Sequence, residues 1–291
     1  MHLNLYGIFI ALGVIAAEFY MGREVRRLSL PSDLAVDMAL WSVPLAVLFS
    51  RIYYVIFTWE RYKGDFFSIF RVWEGGLAIY GGVIGGALGV YLLSKRRKIP
   101  FFTLTDLVAP GLILGQAIGR WGNFFNGEAF GNAVTDPAWQ FFPVSVQVGG
   151  SWHLATFFYE SLWNLAGFGL LLLLRKRTEK KGQGWLFACY LLWYGLGRMM
   201  IEGLRTDSLM LGQLRVSQVV SVALVVIAGA LMVYKLKLGK LLLLPSLIGL
   251  VLLVLAAFGQ AWALPLAYIA LAIFVVSVLY QAFFTKAEVP A

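Results

Sequence analysis

The chain alternates between long apolar stretches and short basic clusters. Apolar runs of about twenty residues predict membrane-crossing helices. Seven such runs lie at about Leu5–Met21, Val36–Phe57, Gly76–Leu93, Leu104–Ile118, Leu154–Leu174, Trp185–Leu204 and Val216–Tyr234. Two more follow at about Leu241–Phe258 and Trp262–Phe284. The third run is rich in glycine (Gly81, Gly82, Gly85, Gly86, Gly89), a composition that lets helices pack backbone to backbone. A segment rich in Trp, Phe and Pro, running to about Ser151, separates the fourth run from the fifth and suits the headgroup zone. No internal repeat, low-complexity linker or soluble domain is visible. The predicted fold class is an all-α polytopic membrane protein.

The basic clusters orient these helices. Arg23, Arg26 and Arg27 close the first run and Lys95-Arg96-Arg97-Lys98 the third. Arg175-Lys176-Arg177 closes the fifth, and Lys235, Lys237 and Lys240 the seventh. Lys and Arg collect on the cytoplasmic side, so those ends are expected inside, the N-terminus outside and the C-terminus, with Lys286, inside. The first run lacks a basic n-region and an A-x-A site and reads as a retained helix.

Composition supports this reading and narrows the chemistry. The 291 residues are 60% hydrophobic, and 13% are charged, about half the share of a soluble domain. The net charge of +9 points to anionic headgroups, not to nucleic acid. Cys189 is the only cysteine, which excludes an intrachain disulfide. His2 and His153 are the only histidines, with no spacing suited to a metal. P-loop, nucleophile-elbow and dinucleotide signatures are absent, so no cofactor is expected. On the predicted topology sixteen basic residues lie inside, nine Lys and seven Arg. The other eight are Arg51, Arg61, Lys63, Arg71, Arg120, Arg198, Arg205 and Arg215, seven of them Arg. That excess suggests an outward-facing cluster built to hold an oxyanion bidentately.

The densest polar stretch is Gly119-Arg120-Trp121-Gly122-Asn123-Phe124-Phe125-Asn126-Gly127-Glu128-Ala129-Phe130-Gly131. It is too polar for an ordinary spanning helix and reads as the end of the fourth run plus a turn. Its arginine offers a planar fork for phosphate, and its Asn amides offer donors and acceptors. Tyr194, Arg198, Glu202 and Arg205 recur at helical spacing on the sixth run. Arginine within an apolar run is costly and marks function by default. Glu160, beside Tyr159, is another acid in apolar surroundings, and Arg51 precedes Tyr53 on the second run. Arg, Asn, Glu and Tyr without metal fit electrostatic stabilisation of a phosphate, with Tyr or carboxylate accepting a proton.

In G-R-x-G-N-F-x-N-x-E-x-x-G the chain resembles the prolipoprotein diacylglyceryl transferases. Further matches follow in the family's order: Arg51-Ile52-Tyr53-Tyr54, Arg71-Val72-Trp73-Glu74-Gly75-Gly76, Gly76-Leu77-Ala78-Ile79-Tyr80-Gly81-Gly82, Tyr159-Glu160-Ser161-Leu162-Trp163-Asn164, and Gly197-Arg198-Met199-Met200-Ile201-Glu202-Gly203-Leu204-Arg205-Thr206-Asp207. The resemblance implies a multi-pass protein of the bacterial plasma (inner) membrane with its site toward the outer face. It implies transfer of the diacylglyceryl group of phosphatidylglycerol to the lipobox cysteine of a prolipoprotein signal peptide, without cofactor. Arg120, Arg198, Tyr80 and Glu202 would carry the catalysis. Arg120, Asn123, Asn126, Glu128, Arg51 and Arg205 would bind phosphatidylglycerol. Many members carry histidine where this chain has Tyr80, and His-Pro ahead of the Tyr-Glu pair is missing here. The implied organisation is a seven-helix transferase core over 1–240 and two added C-terminal transmembrane helices over 241–291. A non-enzymatic transporter or flippase for an anionic lipid is the alternative, and would place substrate charges at the midplane. A lipid-binding relative that has lost activity is a second.

Overall fold

The computed structural model describes residues 5–180, 182–206, 210–211, 214–235, 244–257 and 263–284. His2, Asp207, Lys237, Lys240 and Lys286, named above, lie outside the described residues. Among these residues the helices are α1 (Leu5–Arg27), α2 (Leu34–Phe57), α3 (Ile79–Arg97), α4 (Phe101–Asn126), α5 (Thr156–Glu179), α6 (Trp185–Glu202), α7 (Val216–Lys235), α8 (Leu244–Ala257) and α9 (Ala263–Phe284). By length and apolarity α1, α2, α4 and α5 can each cross a bilayer. Only 11% of the apolar window of α1 and 17% of that of α2 is buried, so most of their apolar surface faces outward. Apolar surface on that scale calls for lipid.

Two boundaries depart from expectation. The fourth run, expected to end near Ile118, continues as helix to Asn126. Arg120, Asn123 and Asn126 are spaced by three and share one face, which leaves Trp121, Phe124 and Phe125 for the apolar side. The turn is thereby confined to Gly127–Ala129, where Gly127 and Ala129 take φ of 64° and 59°. The third helix begins at Ile79, not Gly76, because Gly75 and Gly76 hold φ of 90° and 75°. A hairpin not anticipated in the aromatic segment pairs β1 (Ser145–Val148) with β2 (Ser151–Leu154). Its two-residue loop is Gly149-Gly150, both at positive φ, as a tight hairpin between twisted strands requires.

Contacts divide the chain into two units. One spans Glu18–Val108. In it α3 lies against α2 along a glycine stripe: a Cβ at Gly81, Gly85 or Gly89 would overlap the carbonyl oxygen of Phe49, Leu45 or Trp41. The Arg51 side chain is buried beside this interface, and its five N–H groups all donate to carbonyls. Nε meets Ile69 O at 2.7 Å, Nη1 meets Gly75 O at 2.6 Å and Gly76 O at 3.0 Å, and Nη2 meets Ser68 O at 2.7 Å and Arg71 O at 3.4 Å. At the far end of the helix pair Arg97 bonds Asp33 and donates to Asp37 Oδ2 at 2.6 Å.

The other unit holds the chain up to Ala17 and from Ala109 on. Its core joins Ile113 of α4, Leu171 of α5, Leu192 and Met199 of α6, Val225 of α7 and Phe274 of α9. Trp163 of α5 and Trp193 of α6 stack with centroids 4.4 Å apart, each indole donating to the other's carbonyl at 3.0 Å. The segment after α4 is stitched to the end of α6 by the Gly131–Arg205 bridge and the Asn132 N–H to Leu204 O bond of 3.0 Å.

Candidate active site

In this second unit the last turns of α4, the first turn of α5 and the last turns of α6 bring their charges together. Glu160 is the hub. Its Oε1 lies 2.8 Å from Arg120 Nη2, and its Oε2 lies 3.1 Å from Arg198 Nη1. Arg198 Nη2 reaches Glu202 Oε2 at 2.6 Å, and Arg205 Nε lies 3.9 Å from the same oxygen. Glu202 Oε1 accepts from Ser217 Oγ at 2.7 Å. Arg215 donates to the backbone carbonyls of Glu202 and Arg205. Both carboxylate side chains are almost closed to solvent, at 3% and 2% exposure, against 19% for Arg120 and 16% for Arg198.

That contrast sets the chemistry. A carboxylate this deep is sustained only by pairing, and here each carboxylate oxygen has a cation or hydroxyl against it. The guanidinium groups keep a solvent-accessible edge. Among the described residues three guanidinium groups, Arg120, Arg198 and Arg205, share the two carboxylates, so the cluster carries a net positive charge. An anion arriving at the open edge meets preoriented donors.

A relay extends this edge along α4. Arg120 Nη1 donates to Asn123 Oδ1 at 3.3 Å, and Glu128 Oε1 accepts from Asn123 Nδ2 at 2.9 Å and Asn126 Nδ2 at 3.4 Å. Asn123, Asn126 and Glu128 therefore form one polar surface continuous with Arg120. The geometry depends on helix register. Ser161 Oγ donates to Ala117 O at 2.8 Å and accepts from Trp121 Nε1 at 3.2 Å, which locks α5 against α4. His153 serves the hairpin, its ring nitrogens bonded to Gly131 O and Ser151 Oγ.

Six of the residues expected from sequence, Arg120, Asn123, Asn126, Glu128, Arg198 and Glu202, join this network directly, and Arg205 adjoins it. Arg51 and Tyr80 belong to the Glu18–Val108 unit. Arg51 directs its donors to the 68–76 loop, and Tyr80, in the first turn of α3, sits with its ring 6.2 Å from that of Tyr53. Glu160 was visible as an acid in an apolar run and within a family-like stretch, but with no role assigned. Its place at the centre depends on partners 40 residues before and 38 residues after it, which periodicity cannot reveal. No group of three His, Cys, Asp or Glu suited to a metal occurs among the described residues.

Long apolar helices together with a buried cluster of arginines and carboxylates define a multi-pass membrane protein with a polar site. The chain belongs to the prolipoprotein diacylglyceryl transferase family, whose model matches residues 1–234. Relatives named phosphatidylglycerol--prolipoprotein diacylglyceryl transferase in Bacillus cereus (strain 03BB102), Bacillus anthracis (strain A0248) and Bacillus thuringiensis subsp. konkukian (strain 97-27) are each 47% identical to it over 241 residues. Each alignment covers 81% of this chain and 88% of the relative.

Proposed function

We propose that this chain transfers the diacylglyceryl group of phosphatidylglycerol to the lipobox cysteine of a prolipoprotein at the outer face of the bacterial inner membrane. The acceptor sulfur attacks the glyceryl carbon bearing the phosphate. A C–S bond forms, the C–O bond to phosphate breaks, and glycerol 1-phosphate leaves with the electron pair. The thiol proton passes to an acceptor, giving a thioether. The nucleophile comes from the substrate, so the enzyme needs no cysteine of its own. The observation that carries the reading is the meeting of Arg120 and Arg198, from different helices, on the Glu160 carboxylate.

In this reading Arg120 and Arg198 hold the phosphate and take up the charge that grows on it as the bond breaks. Preorganised donors of that kind are the largest single term in many enzymes. Asn123, Asn126 and Glu128 hold the glycerol headgroup, whose hydroxyls both donate and accept. Glu202 acts by holding Arg198, and Arg205 adds positive charge at the same edge. The positive charge also favours the thiolate over a thiol whose ordinary pKa is about 8.5. Tyr80, at the position where many members carry histidine, is the proposed proton acceptor or donor toward substrate. Arg51 acts on the lipid through the 68–76 loop it holds. In the same reading the basic helix ends face the cytoplasm, with the N-terminus outside and the C-terminus inside, as the bias of Lys and Arg to that side supports. Residues 1–240 form the transferase core and 241–291 an added pair of helices, in keeping with a family match that ends at residue 234. The relatives' names speak against the transporter alternative.

The test is to incubate purified protein with phosphatidylglycerol and a lipobox peptide. The peptide should gain the diacylglyceryl mass, and R120A should slow the gain by about 10²–10³-fold. No mass gain by the unaltered protein in phosphatidylglycerol vesicles would overturn the assignment.

A further inference from the structure

One turn from the ion cluster, farther into the helix bundle, lie polar groups that the proposed reaction does not use. On α5, Asn164 follows Glu160 by four residues and shares its face. It is 1% exposed, and neither Nδ2 nor Oδ1 has a hydrogen-bond partner among the described residues. On α4, Gln116 precedes Arg120 by four residues. Its Nε2 donates to Tyr190 Oη at 2.9 Å, while its buried Oε1 has no partner among the described residues.

Contacts on either side set the depth of Asn164. Toward the cluster, Glu160 pairs with Arg120 and Ser161 bonds Ala117 O. One turn farther in, Gly167 faces Ile113, where an added Cβ would come within 2.6 Å of Ile113 Cδ1. Asn164 falls between these levels, which is the level of Gln116. On α6 the stacked Trp193 marks the same depth beside Trp163, with Tyr194 one turn below Arg198.

Buried polar groups are normally satisfied, and an exception asks for an explanation. The unpartnered set here is one donor, Asn164 Nδ2, and two acceptors, Asn164 Oδ1 and Gln116 Oε1. A complementary ligand must supply both a donor, N–H or O–H, and an acceptor. One turn below its phosphate a diacyl phospholipid offers only ester oxygens, which accept. An extended peptide offers both, because the N–H and C=O of one residue point to the same side and match a primary amide in two bonds. With its cysteine at the ion cluster, a signal peptide entering from the membrane leaves its preceding residues at this depth.

We infer that Asn164, with Gln116 at its level, binds the backbone of the prolipoprotein at the residues just before the acceptor cysteine. This rests on the function proposed above. Burial strengthens each such bond by excluding water.

The experiment is a double-mutant cycle between enzyme and peptide. Asn164→Leu replaces an unsatisfied buried amide by an apolar side chain of similar shape, a change that is nearly neutral for folding. Asn164→Ala serves as a second variant should the leucine fail to fold. The peptide is a lipobox peptide N-methylated in turn at each of the three residues before the cysteine, and both Kd, from fluorescence anisotropy, and KM are read. The Kd and KM of the unaltered peptide should rise about tenfold in the variant, as expected for one or two hydrogen bonds. One N-methyl position should cost the unaltered enzyme as much, and the two losses should not add. The KM for phosphatidylglycerol should stay unchanged.

Additive losses would overturn the inference. A rise in the phosphatidylglycerol KM alone would assign the site to the lipid esters, and a change in melting temperature alone would assign it to internal structure. If the unaltered protein binds the peptide without transferring lipid, the proposed function falls while the binding cycle still decides the role of Asn164.

Discussion

Arg120 and Arg198 are held by the same carboxylate but differ in what else holds them. Arg198 is gripped by Glu160 and Glu202, while Arg120 has Glu160 and Asn123. Removing either guanidinium as R120A or R198A should lower kcat by about 10²–10³-fold, the cost of losing one preorganised donor, measured by peptide mass gain under saturating lipid. Arg120→Lys should recover little of it, because a point charge cannot replace the fork. Glu160→Gln takes the paired carboxylate from Arg120 and leaves Arg198 with Glu202 alone, and should destabilise the protein by about 3–5 kcal/mol, read as a fall in melting temperature. Full turnover by Tyr80→Phe would exclude proton transfer by that hydroxyl. Arg198 was legible in the sequence because arginine is costly in an apolar run, and Arg120 because the stretch around it is too polar for an ordinary spanning helix. Glu160 and Asn164 were not readable as a hub and an unpartnered amide, since each owes its character to what faces it across a helix interface.

Among the elements, α3 shows how composition becomes packing. Its glycines at 81, 85 and 89 admit the carbonyls of α2, so Gly85→Leu should separate the two helices and remove the fold of that unit. A protease-resistance assay of the Glu18–Val108 segment would show it. Gly86 has only a Cβ of Ala46 at 3.9 Å, and Gly86→Ala should be tolerated. At the opposite end, the hydrogen bond from Arg97 holds the Asp33 carboxyl below its ordinary value of 3.8. A depressed carboxyl contributes stability above its unfolded pKa and loses it as pH falls through the folded one. Acid sensitivity of this helix pair should therefore begin below about pH 4, and Arg97→Gln should remove that dependence in a melting series. Each apolar run foretold a helix, and the errors fell where polar and apolar residues mix. Arg120–Asn126 looked like a loop until its three-residue spacing was placed on a helix. The Gly149-Gly150 hairpin carried a readable turn signal that the aromatic content masked.

For the molecule as a whole, the C-terminal helices raise a question that the family match leaves aside. The match ends at residue 234, yet α9 lies against α6 and α7. Tyr268 bonds Gln218, and the Phe274 ring fills the space beside Gly229, where a Cβ would overlap it. Deleting residues 241–291 should expose this apolar face and lower the melting temperature by several degrees, while protein that stays folded keeps its transfer activity. Loss of all transfer at full stability would place chemistry in that pair. The packing of α9 on α6 and α7 was not legible in sequence, because α8 and α9 carry almost no polar side chains from which to read a contact.

The interlock between α5 and α6 constrains how this molecule can vary. Each tryptophan occupies the room that a glycine of the other helix leaves open, Trp163 over Gly197 and Trp193 over Gly167. Neither helix can slip by a turn without losing both seats, which keeps Glu160 opposite Arg198. A side chain gained at Gly197 then demands a smaller ring at 163, and the same exchange holds between 167 and 193. Four positions are thus bound into two reciprocal bargains, and a change at one should be survivable only in company with its counterpart.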